Sequence, residues 1–171
     1  WKRACEAEIA KRGSIFVDMG HGFTYYPFGL DPTVPWPEQV KNGATIDPEM
    51  QELLALIDGQ RGVWHGRIID TNICMSNPKA RKQYIDYAVN YAKKHENVDI
   101  LSLGLADGRR NHCTCENCLK KTPSDWLIVL LNEMDEALTA QGMDTRCTFS
   151  LYVDTYFPPV TERIKNPRRF V

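Results

Sequence analysis

No apolar run in this chain comes near the roughly 18 residues that a membrane-spanning helix needs, so no segment reads as a transmembrane helix. An excess of either charge is missing as well: 21 Lys and Arg face 22 Asp and Glu, leaving a formal net charge of −1. That balance removes the global electrostatic argument for nucleic acid or an anionic membrane as partner. There is no Gly-x-Gly-x-x-Gly and no P-loop, hence no nucleotide fingerprint. The first residues, Trp1-Lys2-Arg3-Ala4-Cys5, carry neither a secretory apolar core nor an initiator Met, and read as a chain entered midway inside a helix. The far end, Arg163 to Val171, stops where an apolar run would begin. The expectation is a piece of a larger fold cut at both ends, with a complete small α/β domain as the alternative.

What is present is an ordinary globular composition, 43% apolar and 25% charged over 171 residues, enough to bury one core. Residues 2–12 are helix-like and stop at Gly13, and Ser14 to Met19 (SIFVDM) predict a strand. Residues 20–47, dense in Gly, Pro and aromatics, predict a long ordered loop without regular elements. Pro48 to Ile57 predict a short helix capped by Asp47, and residues 67–73 (RIIDTNI) a strand or extended segment. Pro78 to about His95 predicts a helix with Tyr84, Tyr87, Ala88 and Tyr91 on one face, and Val98 to Leu105 a buried strand. The clearest helix is Pro123 to Gln141, capped by Thr122, with Trp126, Leu127, Leu130, Leu131, Met134 and Leu138 inside. Thr145 to Val153 predict a last strand.

Repeated strand–helix units with apolar strands imply a parallel sheet with covering helices. The polar and aromatic insertions follow strands rather than helices, as in a barrel whose function sits at the strands' C-terminal ends. The expected fold class is therefore α/β, a partial (β/α)8 TIM-barrel fragment in which residues 1–171 form part of a single domain. An open doubly wound sheet is the runner-up. Half a barrel would expose strand edges, which points to a homo-oligomer paired through them.

Six cysteines are an even number, but Cys5, Cys74 and Cys147 are scattered while Cys113, Cys115 and Cys118 crowd into one loop, DGRRNHCTCENC. That is not the spacing of a stapled secreted scaffold, and it leans towards a reducing, cytoplasmic compartment. Three thiolates at C-x-C-x2-C suit tetrahedral zinc, with the fourth ligand from elsewhere. Cys74, whose loop also follows an extended segment, is the first choice and His112 the second. Four protein ligands would make the zinc structural. A disulfide among these cysteines, or free thiols, are the alternatives.

The segments HGFTYYPFG, CMSNPKAR, LADGRRNHCTCENC and SDWLIVLLNEMDE, in this order, resemble the bacterial domain-of-unknown-function family number 4838 (DUF4838) over roughly residues 15 to 171. The resemblance implies a glycoside-hydrolase-type (β/α)8 barrel, a carbohydrate partner and membership of a larger chain. It implies no mechanism and no substrate.

Glycoside hydrolysis needs two carboxyl groups across the scissile bond. Asp107, just after an apolar strand and before Gly108, is the first candidate, with a loop-capping turn as its other reading. Asp154, at the end of the last strand, is the candidate partner, and Asp18 a weaker one. Glu133, Asp135 and Glu136, with Asn132, lie inside a long helix and are expected on its solvent side. His21, between two glycines, with Tyr25, Tyr26 and Phe28 could wall a sugar subsite. Trp64, His65 and Arg67 form a second aromatic–polar patch, in which Arg67 would grip a carboxylate such as a uronic acid. Tyr152 would face the cleft beside Asp154, while Trp36, between two prolines, reads as a loop anchor. Arg109, Arg110, Lys120 and Lys121 make a short basic spot, best read as a solvated loop.

These residues lead to a glycoside hydrolase acting on oligo- or polysaccharide through strand-end carboxylates, with a zinc-pinned rim loop. A non-catalytic carbohydrate-binding domain and a zinc-stapled structural domain are the alternatives.

Overall fold

The computed structural model describes residues 2–18 and 20–171, with the backbone alone for residues 2–4. Trp1 and Met19, the last residue of the predicted first strand, lie outside the described residues. Helix α1 (Lys2–Lys11) ends at Gly13, whose φ of 63° closes the turn. Strand β1 among the described residues is Val17–Asp18, so that Ser14 to Phe16 of the predicted 14–19 lie outside it. It has one neighbour, and the Phe16 carbonyl already takes the N–H groups of Asp99 and Ile100, which ends the ladder there.

Residues 20–47 are more regular than a proline-rich loop suggests. They hold 3₁₀ turns at His21–Thr24 and Tyr26–Phe28 and a short helix, α2 (Trp36–Lys41). Pro35 and Pro37 sit at the start of α2, where a missing N–H costs nothing. Trp36 is thus the first residue of a helix rather than a bare anchor between prolines.

Helix α3 (Pro48–Leu53) is capped by Asp47, which accepts from the N–H groups of Glu49 and Met50. It stops four residues before the predicted end because the chain turns extended at Leu54, which bridges Ile73. Leu56–Ile57 (β2) then folds back on Gln60–Arg61 (β3) as a tight hairpin. Of the predicted strand or extended segment 67–73, only the end pairs, where Ile73 bridges Leu54. Ile68–Asp70 is a 3₁₀ turn, because the Thr71 hydroxyl bonds back to the Arg67 carbonyl and accepts the Trp64 N–H, curling the segment instead of extending it.

Helix α4 (Pro78–Lys94) is capped by Asn77 and followed by β4 (Ile100–Leu103). Helix α5 (Pro123–Ala140) opens with a capping box between Thr122 and Asp125 and leads to β5 (Arg146–Phe149). The three parallel strands lie in chain order, β1-β4-β5, with Ile100 opposite Arg146 and Leu103 opposite Phe149. Phe170 adds a further parallel bridge to Cys147 on the outer side of β5. The observed architecture is a mixed α/β domain with a three-stranded parallel sheet and packed helices, and the described residues form no closed barrel. No helix among them is long and apolar enough to cross a membrane.

The core lies between the sheet and helices α4 and α5, around Tyr84, Leu101, Leu130, Leu131, Met134, Leu138 and Cys147. The acidic run of α5 departs from the expected solvent face. Asp135 is buried against the Arg169 guanidinium at 2.7 Å, and Glu133 takes a two-pronged bond from Arg81. Asn132 is buried and ties down the backbone of residues 163–165, so only Glu136 of this run is exposed. A carboxylate inside a helix can be paid for by an arginine brought from far along the chain, which periodicity does not reveal.

Candidate functional site

The cysteine-rich loop leaves β4 and returns towards α5, and within it Cys113, Cys115 and Cys118 turn their sulfurs to one point. Cys74 arrives from the turn before α4. Its Sγ lies 3.6 Å from that of Cys113, 3.8 Å from Cys115 and 3.9 Å from Cys118. All four sulfurs lie within 4.8 Å of one another and none is in a disulfide. A tetrahedral Zn–thiolate centre with bonds of about 2.3 Å has S···S edges of about 3.8 Å, so the spacing fits such an ion. The surroundings suit thiolates. The Leu56 N–H points at Cys113 Sγ (3.2 Å), the Ser76 N–H at Cys118 Sγ (3.3 Å), and the Ser76 hydroxyl lies 3.4 Å from Cys115 Sγ. Hydrogen bonds from Cys113 and Cys118 outweigh burial and push the Cys74 thiol far below its ordinary range. His112, the second choice for fourth ligand, stands apart with Nε2 3.9 Å from Asp154 Oδ2. Burial holds its imidazole below the ordinary value in spite of Asp154.

Beyond β4 the same loop forms one wall of a cleft of about 1170 Å³. The cleft brings together Trp64, His65, Arg67, Asp107, Tyr152 and Asp154, six residues singled out from the sequence. Trp64 and His65 meet edge to face at 4.0 Å between centroids, with His65 in the left-handed region (φ 49°). Asp154 Oδ2 accepts the Arg110 N–H at 2.7 Å. Arg67 lines the cleft with its Nε on Asp70 Oδ2 at 2.7 Å, and its two Nη groups are not part of that contact.

His21 lies beside a smaller neighbouring cavity with Asp107, Tyr152 and His112, and its Nδ1 bonds the Leu105 carbonyl. Tyr25 departs from expectation: it is buried in the core, edge-on to Tyr26, and walls no part of the cleft. Phe28 is likewise buried. The reason is the 3₁₀ geometry of residues 21–28, which turns these rings towards α4. Asp18 is buried under the sheet and takes a bond from the Tyr91 hydroxyl.

Three residues of the site carry no sequence signal of their own. Asp70 lines the cleft but was hidden in a segment resembling a strand. Asn72 and Asn111, each 1% exposed, stitch the cleft walls together. Asn111 Nδ2 donates to the Asp70 carbonyl (2.8 Å) and Asn72 Oδ1 accepts the Ala106 N–H (3.3 Å).

Comparison of the chain with protein-family models, with curated proteins and with solved structures gives no match.

Proposed function

We propose that the chain is the zinc-stapled part of a (β/α) barrel that hydrolyses O-glycosidic bonds in oligo- or polysaccharide, in the cleft beyond β4 and β5. The observation that carries this reading is the convergence in one cleft of Asp107 and Asp154 with Trp64, His65 and Tyr152. Carboxyl groups supply the proton transfers that glycoside hydrolysis needs, and flat rings pack against the C–H faces of a sugar. The barrel reading draws support from strands added in chain order, with Phe170 in parallel beside β5, and from the resemblance to family 4838.

Zinc on Cys74, Cys113, Cys115 and Cys118 would be structural, since four protein thiolates leave no position for water. When bound it supplies no chemistry to the cleft. It pins the loop that carries Asp107 at its start, while Leu56 and Ser76 hold the sulfurs.

The test is release of reducing sugar from soluble polysaccharides and of nitrophenol from a panel of aryl glycosides, by wild type and Asp107→Asn. Turnover that falls about a thousandfold or more in the variant supports the reading. Saccharide binding without turnover would replace it with the non-catalytic alternative. The Arg110 N–H already held by Asp154 favours that alternative, since it occupies a carboxylate oxygen.

A further inference from the structure

We infer that Asp70, rather than Asp154, is the carboxyl group that works with Asp107 in this cleft, giving its proton to the leaving oxygen of the glycoside. The inference rests on the hydrolase reading above and adds to it a residue and a role.

The two aspartates come from adjacent stretches of backbone. The Asp107 N–H donates to the Ile69 carbonyl at 2.9 Å, and the place where a Cβ on Gly108 would stand is 3.6 Å from Asp70 Cβ. Buried Asn111 and Asn72 fix the relation, one holding the Asp70 carbonyl and the other the Ala106 N–H. Both aspartates line the same cleft. Polar side chains buried to 1% exposure cost stability unless hydrogen-bonded, and here their bonds tie the backbone at Asp70 and at Ala106, next to Asp107, into the same core.

The environments of the two acids differ. No described residue donates a hydrogen bond to the Asp107 carboxylate or pairs with it, and Asp107 lines the cleft. The Asp70 carboxyl is 17% exposed and uses Oδ2 for Arg67, which leaves Oδ1 outside that ion pair. Burial raises the Asp70 carboxyl above its ordinary value, with Arg67 and His65 opposing this and Asp107 adding to it. Arg109, Arg110 and Asp154 are the other charged groups facing the pair, with Asp58 at the far rim. Two neighbouring carboxyls in unlike settings can divide the labour of acid and base.

In the step, the Asp70 O–H bond breaks as the leaving oxygen gains the proton and its bond to the anomeric carbon is lost. Water forms the new bond to that carbon and passes a proton to Asp107. One water is consumed, and the pair has moved one proton from Asp70 to Asp107, which solvent exchange resets.

The test follows the carboxyl carbons of both residues by NMR through a pH titration of the zinc-loaded 171-residue chain. In Asp107→Asn the Asp70 midpoint is expected to fall, because the neighbouring negative charge that helps to raise it is gone. In Asp154→Asn it is expected to stay. An Asp70 midpoint indifferent to Asp107→Asn, or equally sensitive to Asp154→Asn, overturns the pairing. Activity then tests the role: Asp70→Asn should lose about a hundredfold or more on glycosides with poor leaving groups and far less on activated aryl glycosides. Equal loss on both overturns the proton-donor assignment. Coupled titration in a wild type that cleaves nothing overturns the hydrolase reading while leaving the pair intact.

Discussion

Removing the metal tests the cysteine cluster most directly, and the structure sets the size of the effect. Cys74 and Cys113 are 39 positions apart, so a metal held by both would close that loop. The chain-entropy relation puts such a closure at about 4 kcal/mol at 25 °C. For a domain of this size each kcal/mol moves Tm by about 2–4 °C, so chelation should lower Tm by roughly 8–16 °C. The perturbation is a strong chelator, or Cys74→Ser, which deletes the ligand that crosses between segments and leaves the three in the loop. The assays are calorimetry with and without chelator, zinc counted by a chromogenic chelator as thiols are blocked, and cobalt substitution read by its tetrahedral thiolate bands. One metal per chain, tetrahedral cobalt spectra and a Tm fall of that size are expected, with Cys74→Ser weakening the metal and His112→Ala leaving it in place. A chain purified without added chelator that holds no metal, or whose Tm ignores the chelator, would refute the reasoning.

At Asp125, burial raises the carboxyl, but the N–H groups of Glu162 and Thr161 and the Thr122 hydroxyl and N–H lower it further than burial lifts it. A depressed folded pKa stabilises above the unfolded value near 3.9 and loses that contribution as pH falls through it, so denaturant titrations should show stability dropping below about pH 4. Asp125→Ala should flatten that dependence and cost about 3 kcal/mol at neutral pH. Gly104→Ala would set a Cβ 2.7 Å from the Gly20 carbonyl carbon and 2.8 Å from the His21 nitrogen, both backbone atoms that cannot swing aside. A loss of about 2–3 kcal/mol in chemical denaturation is expected, and an undiminished midpoint would contradict the packing described. Arg169→Ala would strip Asp135 of its guanidinium and the Met143 and Thr145 carbonyls of their donor, costing about 3–5 kcal/mol by the same measurement. Restoring neutrality with Asp135→Asn in that background should recover part of it.

Much of the helical framework is legible in the residues alone, because its signals are local. Asn77-Pro78 and Thr122-Pro123 each combine a cap with a proline at the first turn, and both helices start there. The three loop cysteines are legible for the same reason, since their spacing alone brings them together. Strand ends are less so: SIFVDM and TRCTFSLYV look longer than the two and four residues that pair, because ladder length depends on the neighbour. RIIDTNI is legible only at its end, where Ile73 bridges Leu54, since a 3₁₀ turn takes Ile68–Asp70, and with it the setting of Asp70 is lost to inspection. Asn72 and Asn111 are ordinary polar letters until the fold buries both. Tyr25 shows the converse: an aromatic in a glycine-rich loop belongs to the core, at the joint between two 3₁₀ turns.

Three of the four cysteines sit within six residues of one another, and this shapes the order of assembly as well as the finished site. Closing loops of two to five residues costs little, so the 113–118 segment offers zinc a half-formed nest before any distant contact exists. A long segment must then be brought round before Cys74 could complete the four-sulfur set. The metal would therefore join early and loosely, and tighten only when the turn before α4 docks. Its final affinity is then a gauge of whether the rest of the domain has folded correctly.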